Sequence, residues 1–250
     1  TVSVSSLPTI YPVTGGGAYC SGGSGEHVML GGSTYGISYQ LYYGTTAMGG
    51  AVSGTGSTLD FGLFTGAGTY TVVATNLSTS CTATMSGSAT ITVNALPGLF
   101  TVTGGGTYCS GGTGYHIGLS GSATGVTYQL YRGSTAVGTA LSGTGSTLDF
   151  GLFTTSGTYT VVATVTASGC TRSMSGSATI TISSLPGAYY VTGGGSFCAG
   201  GSGCHIGLSA SASGISYRLY RGTTAVGSPV PGTGSALDFG LQTIAGTYTV

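Results

Sequence analysis

The sequence predicts an all-β chain of small antiparallel β-sandwiches in tandem. Three observations carry this. Apolar and polar residues alternate strictly over short runs. Glycine-rich turns separate those runs every ten or so residues. The whole pattern also returns at a fixed interval, with Leu7-Pro8, Leu96-Pro97 and Leu185-Pro186 standing 89 residues apart.

The interval is kept by His27, His116 and His205 and by Asp60, Asp149 and Asp238. That length suits one small all-β domain. The expected organisation is a last strand of a preceding repeat over 1–6, repeats over 7–95 and 96–184, and a truncated third over 185–250. We expect a window of a longer repetitive protein. The rival expectation is a subunit whose first strand completes a neighbour's last domain.

The strands follow from parity, since successive side chains of a strand point to opposite faces. In "SMSGSATITIS", Met174, Ala178, Ile180 and Ile182 share one face and the hydroxyl residues the other. In "TYTVVATVT", Tyr159, Val161, Ala163 and Val165 point together. Val126, Tyr128 and Leu130 form a third apolar stripe, and Tyr115, Ile117 and Leu119 a fourth. No helical stretch stands out, so each sheet should bury one face.

Composition narrows the function. The chain has 51 Gly among 250 residues and only 3% charged residues, with net charge +0. Average chains carry about 7% Gly and about 25% charged residues. This excludes the basic footprint of a nucleic-acid binder. Hydrophobic content of 40% is too high for a disordered linker. No run of about 18 apolar residues is present for membrane insertion.

The strand order and the segment "DFGLFTTSGTYTVVAT" resemble an immunoglobulin-like domain and its corner between the fifth and sixth strands. The resemblance implies that Tyr70, Tyr159 and Tyr248 are tyrosine-corner residues. The usual Trp of the third strand is absent, and Tyr128 or Leu130 would take its place.

Cys20, Cys109 and Cys198 sit in the motif "VTGGGTYCSGG" and its copies, and Cys81 and Cys170 follow the first two by 61 residues. The simplest pairing is one disulfide per domain, Cys20–Cys81 and Cys109–Cys170, which places the chain in an oxidising, extracellular compartment. Cys198 and Cys204 are unpaired in this window, Cys204 standing where Glu26 and Tyr115 stand elsewhere. The glycines themselves read as bends. A phosphate loop needs a following helix and usually a Lys, and neither is present. Gly104 to Gly106 and Gly111 to Gly112 are expected to supply positive-φ turns around the cysteine.

Other candidates are weak. His116 faces outward by parity, and one His per domain makes a poor metal site. Asp149 stands alone in its repeat, whereas calcium needs six or more oxygens. One acid and one His per repeat lie on different strands, which argues against acid–base catalysis and an enzyme. No cofactor is expected, calcium included. Tyr42, Tyr131 and Tyr220 face outward and could stack on sugars or on a laterally packed chain. Asn76-Leu77-Ser78 fits the N-glycosylation pattern.

The linkers are short. Only Leu185-Pro186 and one Gly separate the last strand of one repeat from the next domain. Proline fixes φ, and Leu7, Leu96 and Leu185 are expected to plug the junctions beside Pro8, Pro97 and Pro186. Domains of roughly 30–40 Å joined this way would make a stiff rod. Its surface is Ser, Thr, Gly and Tyr with little charge. That calls for covalent O-linked glycan, or for lateral bundling of rods.

The ordered segments "GGGTYCSGG", "HIGLSGS", "YQLYRGSTAVG", "LSGTGSTLDFG", "GTYTVVATVTASGCT" and "SGSATITI" resemble the Ig-like or PKD-like tandem repeats of large secreted surface proteins, adhesin-like, of gliding Bacteroidota. The resemblance implies roles in cell-surface adhesion or matrix and transfers no active residue. The expected function is a structural segment of an extracellular filament or giant surface adhesin. Its partners would be further copies of the repeat end to end. An array of carbohydrate-binding modules is the alternative.

Overall fold

The computed structural model describes Val2 and residues 4–250. Of the strand expected over 1–6, Thr1 and Ser3 lie outside the described residues. Every named element among the described residues is a β-strand.

The first repeat holds β1 (Val13–Gly15), β2 (Gly17–Cys20), β3 (Glu26–Leu30), β4 (Ile37–Tyr43), β5 (Thr46–Ser53), β6 (Leu59–Phe64), β7 (Gly68–Asn76), β8 (Thr82–Thr84) and β9 (Ala89–Asn94). The second holds β10 (Val102–Gly104), β11 (Gly106–Cys109), β12 (Tyr115–Leu119), β13 (Val126–Arg132), β14 (Thr135–Ser142), β15 (Leu148–Phe153), β16 (Gly157–Val165), β17 (Thr171–Ser173) and β18 (Ala178–Ser183). The third holds β19 (Val191–Gly193), β20 (Cys204–Leu208), β21 (Ser216–Arg221), β22 (Thr224–Pro231), β23 (Leu237–Gln242) and β24 (Tyr248–Thr249).

Each of the first two repeats is a two-sheet sandwich. One sheet runs β1-β3-β6, and the other runs β2-β9-β7-β4-β5 with β8 paired to β7. The second repeat copies this as β10-β12-β15 and β11-β18-β16-β13-β14 with β17 on β16. The chain divides into two compact units. One takes residues up to Gly106 with Thr113–Thr181, and the other takes Thr107–Gly112 with Ile182–Val250.

Alternation decides what is buried. Val28, Leu30, Tyr39, Leu41, Tyr70, Val72, Ala74 and Ile91 fill the first core. In the second repeat Val126, Tyr128, Leu130, Tyr159, Val161, Ala163, Met174, Ala178 and Ile180 are buried. Two residues depart from the expected stripes. Ile182 is 40% exposed because it lies near the end of β18, and Tyr115 is 38% exposed at the start of β12. Tyr128 takes the central position, and its hydroxyl accepts the Ala123 N–H at 2.9 Å. Burial there is complete, so this hydrogen bond is what lets a phenol replace a larger apolar ring.

Two buried-polar ties hold the loops of each sandwich. Ser122 Oγ donates to Ser146 O at 2.6 Å and accepts from Thr144 N at 3.0 Å, joining the β12–β13 and β14–β15 loops. Ser33 and Ser211 do the same in the other repeats. In the third repeat, Gly194, Phe197, Ile206, Gly246 and Tyr248 line a groove.

Candidate functional site: the seam between repeats

The first and second repeats are joined by a covalent bond. Cys20 is disulfide-bonded to Cys170, with Cα atoms 5.6 Å apart and 150 residues between them. Cys81 and Cys109 carry free thiols, as do Cys198 and Cys204. The expected pairs Cys20–Cys81 and Cys109–Cys170 are therefore not the ones formed.

Register gives the reason. β2 runs parallel to β9, with Gly17 beside Ile91 and Cys20 beside Asn94. β7 runs antiparallel to β9, with Gly68 beside Ile91. Cys20 therefore lies three residues beyond that common point, where the chain leaves the sandwich. From Gly68, β7 runs the other way to Asn76, and Cys81 follows in the turn to β8. Eleven strand positions at about 3.3 Å put the two cysteines roughly 35 Å apart, at opposite ends of one sandwich. A disulfide tolerates a Cα separation of at most about 7 Å. The trailing end of one repeat meets the leading end of the next, so the bond crosses the seam.

Both cysteines are held by backbone. Ser21 N donates to Asn94 O at 2.8 Å and Gly23 N to Cys20 O at 2.9 Å. Across the seam, Val165 N donates to Cys170 O at 2.9 Å. Cys170 is only 1% exposed. Arg172 adds a tie from the same turn, its guanidinium donating to Pro97 O at 3.3 Å.

The linker fills differently from expectation. Leu7, Leu96 and Leu185 are 69%, 37% and 60% exposed, so none is a buried plug. Pro8 and Pro97 are buried instead, while Pro186 is exposed. A rigid ring beside an Arg-bound carbonyl takes the buried place at the first seam, and the leucine beside it turns outward.

The glycine motif shapes the cysteine loop. Gly104 has φ 93° and Gly111 φ 88°. A Cβ at Gly104 would overlap the His116 carbonyl, so a close approach of backbones requires glycine there. Gly112 was expected to bend with positive φ and does not. Its N–H donates to Cys109 O at 2.9 Å, and a Cβ would press on the Tyr108 ring.

A second constellation, absent from the parity argument, is a His–Asp pair in every repeat. His27 Nδ1 lies 2.8 Å from Asp60, His116 2.7 Å from Asp149, and His205 2.8 Å from Asp238. A bulge in each strand pair brings the two side chains together, and the aspartate also accepts a backbone N–H two residues on. The hydrogen bond from His27 and then that from Gly62 N–H hold the Asp60 carboxyl below its ordinary value. The same causes act on Asp238 from His205 and Gly240. The constant 33-residue separation of His and Asp was the available signal. Among the described residues, no group of three or more His, Cys, Asp or Glu stands together as a metal site.

The remaining candidates fall as follows. Tyr70, Tyr159 and Tyr248 each donate a hydroxyl to the carbonyl four residues back, at 2.9, 2.8 and 2.7 Å. Tyr42 and Tyr131 are half-buried and Tyr220 is 37% exposed. Asn76 Oδ1 accepts Ser78 N at 2.9 Å and Thr79 N at 3.2 Å, so its side chain shapes a turn. Among the described residues, no helix is long and apolar enough to cross a membrane.

No curated protein matches the chain. Among solved structures, the ectodomain of mouse nectin-like molecule 4, with its Ig1–Ig3 domains, is 14% identical. It covers 92% of this chain and 89% of its own, with a TM-score of 0.38. Murine CEACAM1b is 12% identical over 69% of this chain and 99% of its own, with a TM-score of 0.37. The fibronectin(III)-like modules of Clostridium thermocellum CbhA are 12% identical over 69% and 94%, with a TM-score of 0.36. The profile of a family described as "Ig-like domain CHU_C associated" matches residues 97–183. That match and the two-sheet topology agree: the chain is built of tandem Ig-like β-sandwiches.

Proposed function

We propose that this chain is a structural segment of an extracellular filament or giant surface adhesin. It is a stiff, non-enzymatic rod of Ig-like domains that projects or spaces other parts. The single observation that carries the reading is the Cys20–Cys170 bond, which ties consecutive sandwiches across their seam. A flexible string of binding modules has no use for such a staple; a strut under load does. Disulfides persist in oxidising compartments, which supports an extracellular or cell-surface site. Further copies of the repeat end to end, and laterally packed chains, are the partners. The hydroxyl-rich surface with 3% charged residues carries O-linked glycan in this reading.

Small-angle scattering tests the rod. Three domains in line reach roughly 100 Å, with a radius of gyration of about 30 Å. A compact globule of this length would give about 18 Å, and that value would overturn the proposal. Intact mass tests the glycan: natively produced chain should exceed the 24.2 kDa polypeptide by many hexose units. Binding of a two-repeat fragment on a glycan array, abolished by substituting Tyr131, would favour the carbohydrate-binding array instead.

A further inference from the structure

We propose that Cys109 is a cross-linking site for the repeat that follows it, and that the cysteines of this protein pair by one rule across every seam. A cysteine at the trailing end of one repeat bonds a cysteine at the leading end of the next, 150 residues on. The chain then holds two classes of cysteine, with Cys204, at the start of β20, in neither. Cys20, Cys109 and Cys198 are trailing-end residues, and Cys81 and Cys170 are leading-end residues.

The rule is read from register and does not draw on the surface role. Cys109 closes β11 as Cys20 closes β2. Ser110 N donates to Ser183 O at 2.8 Å, as Ser21 N does to Asn94 O. Gly112 N donates to Cys109 O at 2.9 Å, repeating the Gly23–Cys20 turn. Cys81 sits in its turn as Cys170 does in its own, with Asn76 N donating to Cys81 O at 2.9 Å. The bonded pair Cys20–Cys170 shows what these two settings do when they meet.

A separate observation concerns the loop. The Thr107–Gly112 loop, which carries Cys109, groups with the end of β18 from Ile182 onward. Cys109 stands at the trailing end of its sandwich, where β11 ends, and its thiol is exposed. The opposite-end geometry leaves Cys81 and Cys109 no partner inside their own sandwiches. Cys81 lies at the leading end of the first repeat, in the turn that holds Cys170 in the second.

The chemistry is a thiol oxidation. Two thiols lose two protons and two electrons to a disulfide-donating oxidant such as oxidised glutathione, and one S–S bond forms. The oxidant is reduced to two thiols. Attack needs the thiolate, and the exposed Cys109 offers it to an incoming mixed disulfide.

The test adds a leading-end cysteine to the third repeat. A second copy of Val162–Ser184 appended after Val250 continues the third repeat in register and places a cysteine 150 residues after Cys109. After refolding in a glutathione redox buffer, free thiols are alkylated and linked peptides are mapped by mass spectrometry. The expected result is two bonds, Cys20–Cys170 and Cys109 to the added cysteine, with Cys81, Cys198 and Cys204 alkylated. The Cys20–Cys170 bond reports that the chain has folded. Alkylated Cys109 beside an intact Cys20–Cys170 bond would overturn the rule, as would Cys109 joined to Cys170 or Cys81.

A second variant guards against a misfolded extension. Inserting an additional Leu96–Ser184 between Ser184 and Leu185 gives two whole middle repeats. The first Cys109 should then bond the inserted leading-end cysteine, leaving the inserted trailing-end cysteine alkylated. Bonds confined within single repeats would sink the proposal.

Discussion

At the scale of the residue, the hydrogen-bond partner decides what a polar side chain does in this apolar, weakly charged chain. Tyr159 is 1% exposed and donates to Thr155 O, so removing the hydroxyl loses the bond that ties this buried ring to the turn before β16. Tyr159→Phe should destabilise the second repeat by about 1 kcal/mol in a denaturant melt. The His–Asp pairs behave differently because they are exposed. Asp60 titrates below 3.8 because the folded state stabilises its carboxylate. Its small contribution to stability is therefore present above the unfolded-state value and fades as pH falls through the folded one. His27→Ala should move the Asp60 carboxyl midpoint upward in an NMR titration, leaving the backbone bond from Gly62 to hold the remainder.

At the scale of the element, position along a strand matters as much as face. β18 places Ile180 and Ile182 on the same side, yet one is 1% exposed and the other 40%. Ile180 lies under β16, where Gly157 pairs with it, while Ile182 lies past that pairing. Ile180→Ala should cost about 2–5 kcal/mol through lost burial and a cavity. Ile182→Ala should stay within about 1 kcal/mol, and equilibrium melts of the two variants side by side check the difference. Neighbouring strands also half-cover Tyr42 and Tyr131 on the outer face of β4 and β13, which parity alone represents as outward.

At the scale of the whole molecule, the seam bond changes what a break in the chain means. A linker cut would ordinarily separate two domains. Here Cys20 and Cys170 hold the first and second repeats together even if the backbone is severed between them. A specific protease site replacing Leu96-Pro97-Gly98 should yield two pieces that migrate as one band without reductant and as two with it. In the same chain, Cys20→Ser should release the pieces without reduction. Two bands in the unreduced, otherwise unaltered chain would show that the seam is not covalent in solution.

Much of the architecture is legible in one strand's alternation and one interval of 89 residues. Met174, Ala178 and Ile180 declare a face, and three copies of Leu-Pro declare a period. These are local properties: a strand's period of two and a repeat's length need no knowledge of what lies across space. The His–Asp pair could have been found from its constant separation, though the bulge that closes it could not.

The cysteines mark where sequence reasoning stops. Spacing along the chain made Cys20 and Cys81 look like partners, but strand direction puts them at opposite ends of one sandwich. Counting strand directions from Cys20 to Cys81 exposes the mismatch; identifying Cys170 as the partner needs two sandwiches set end to end. The sequence alone determined the strands, their buried faces and the repeat, because those follow from backbone geometry and burial within a few residues. Only the tertiary structure decided which sulfurs meet and which linker residue is buried, because both depend on where separate domains abut.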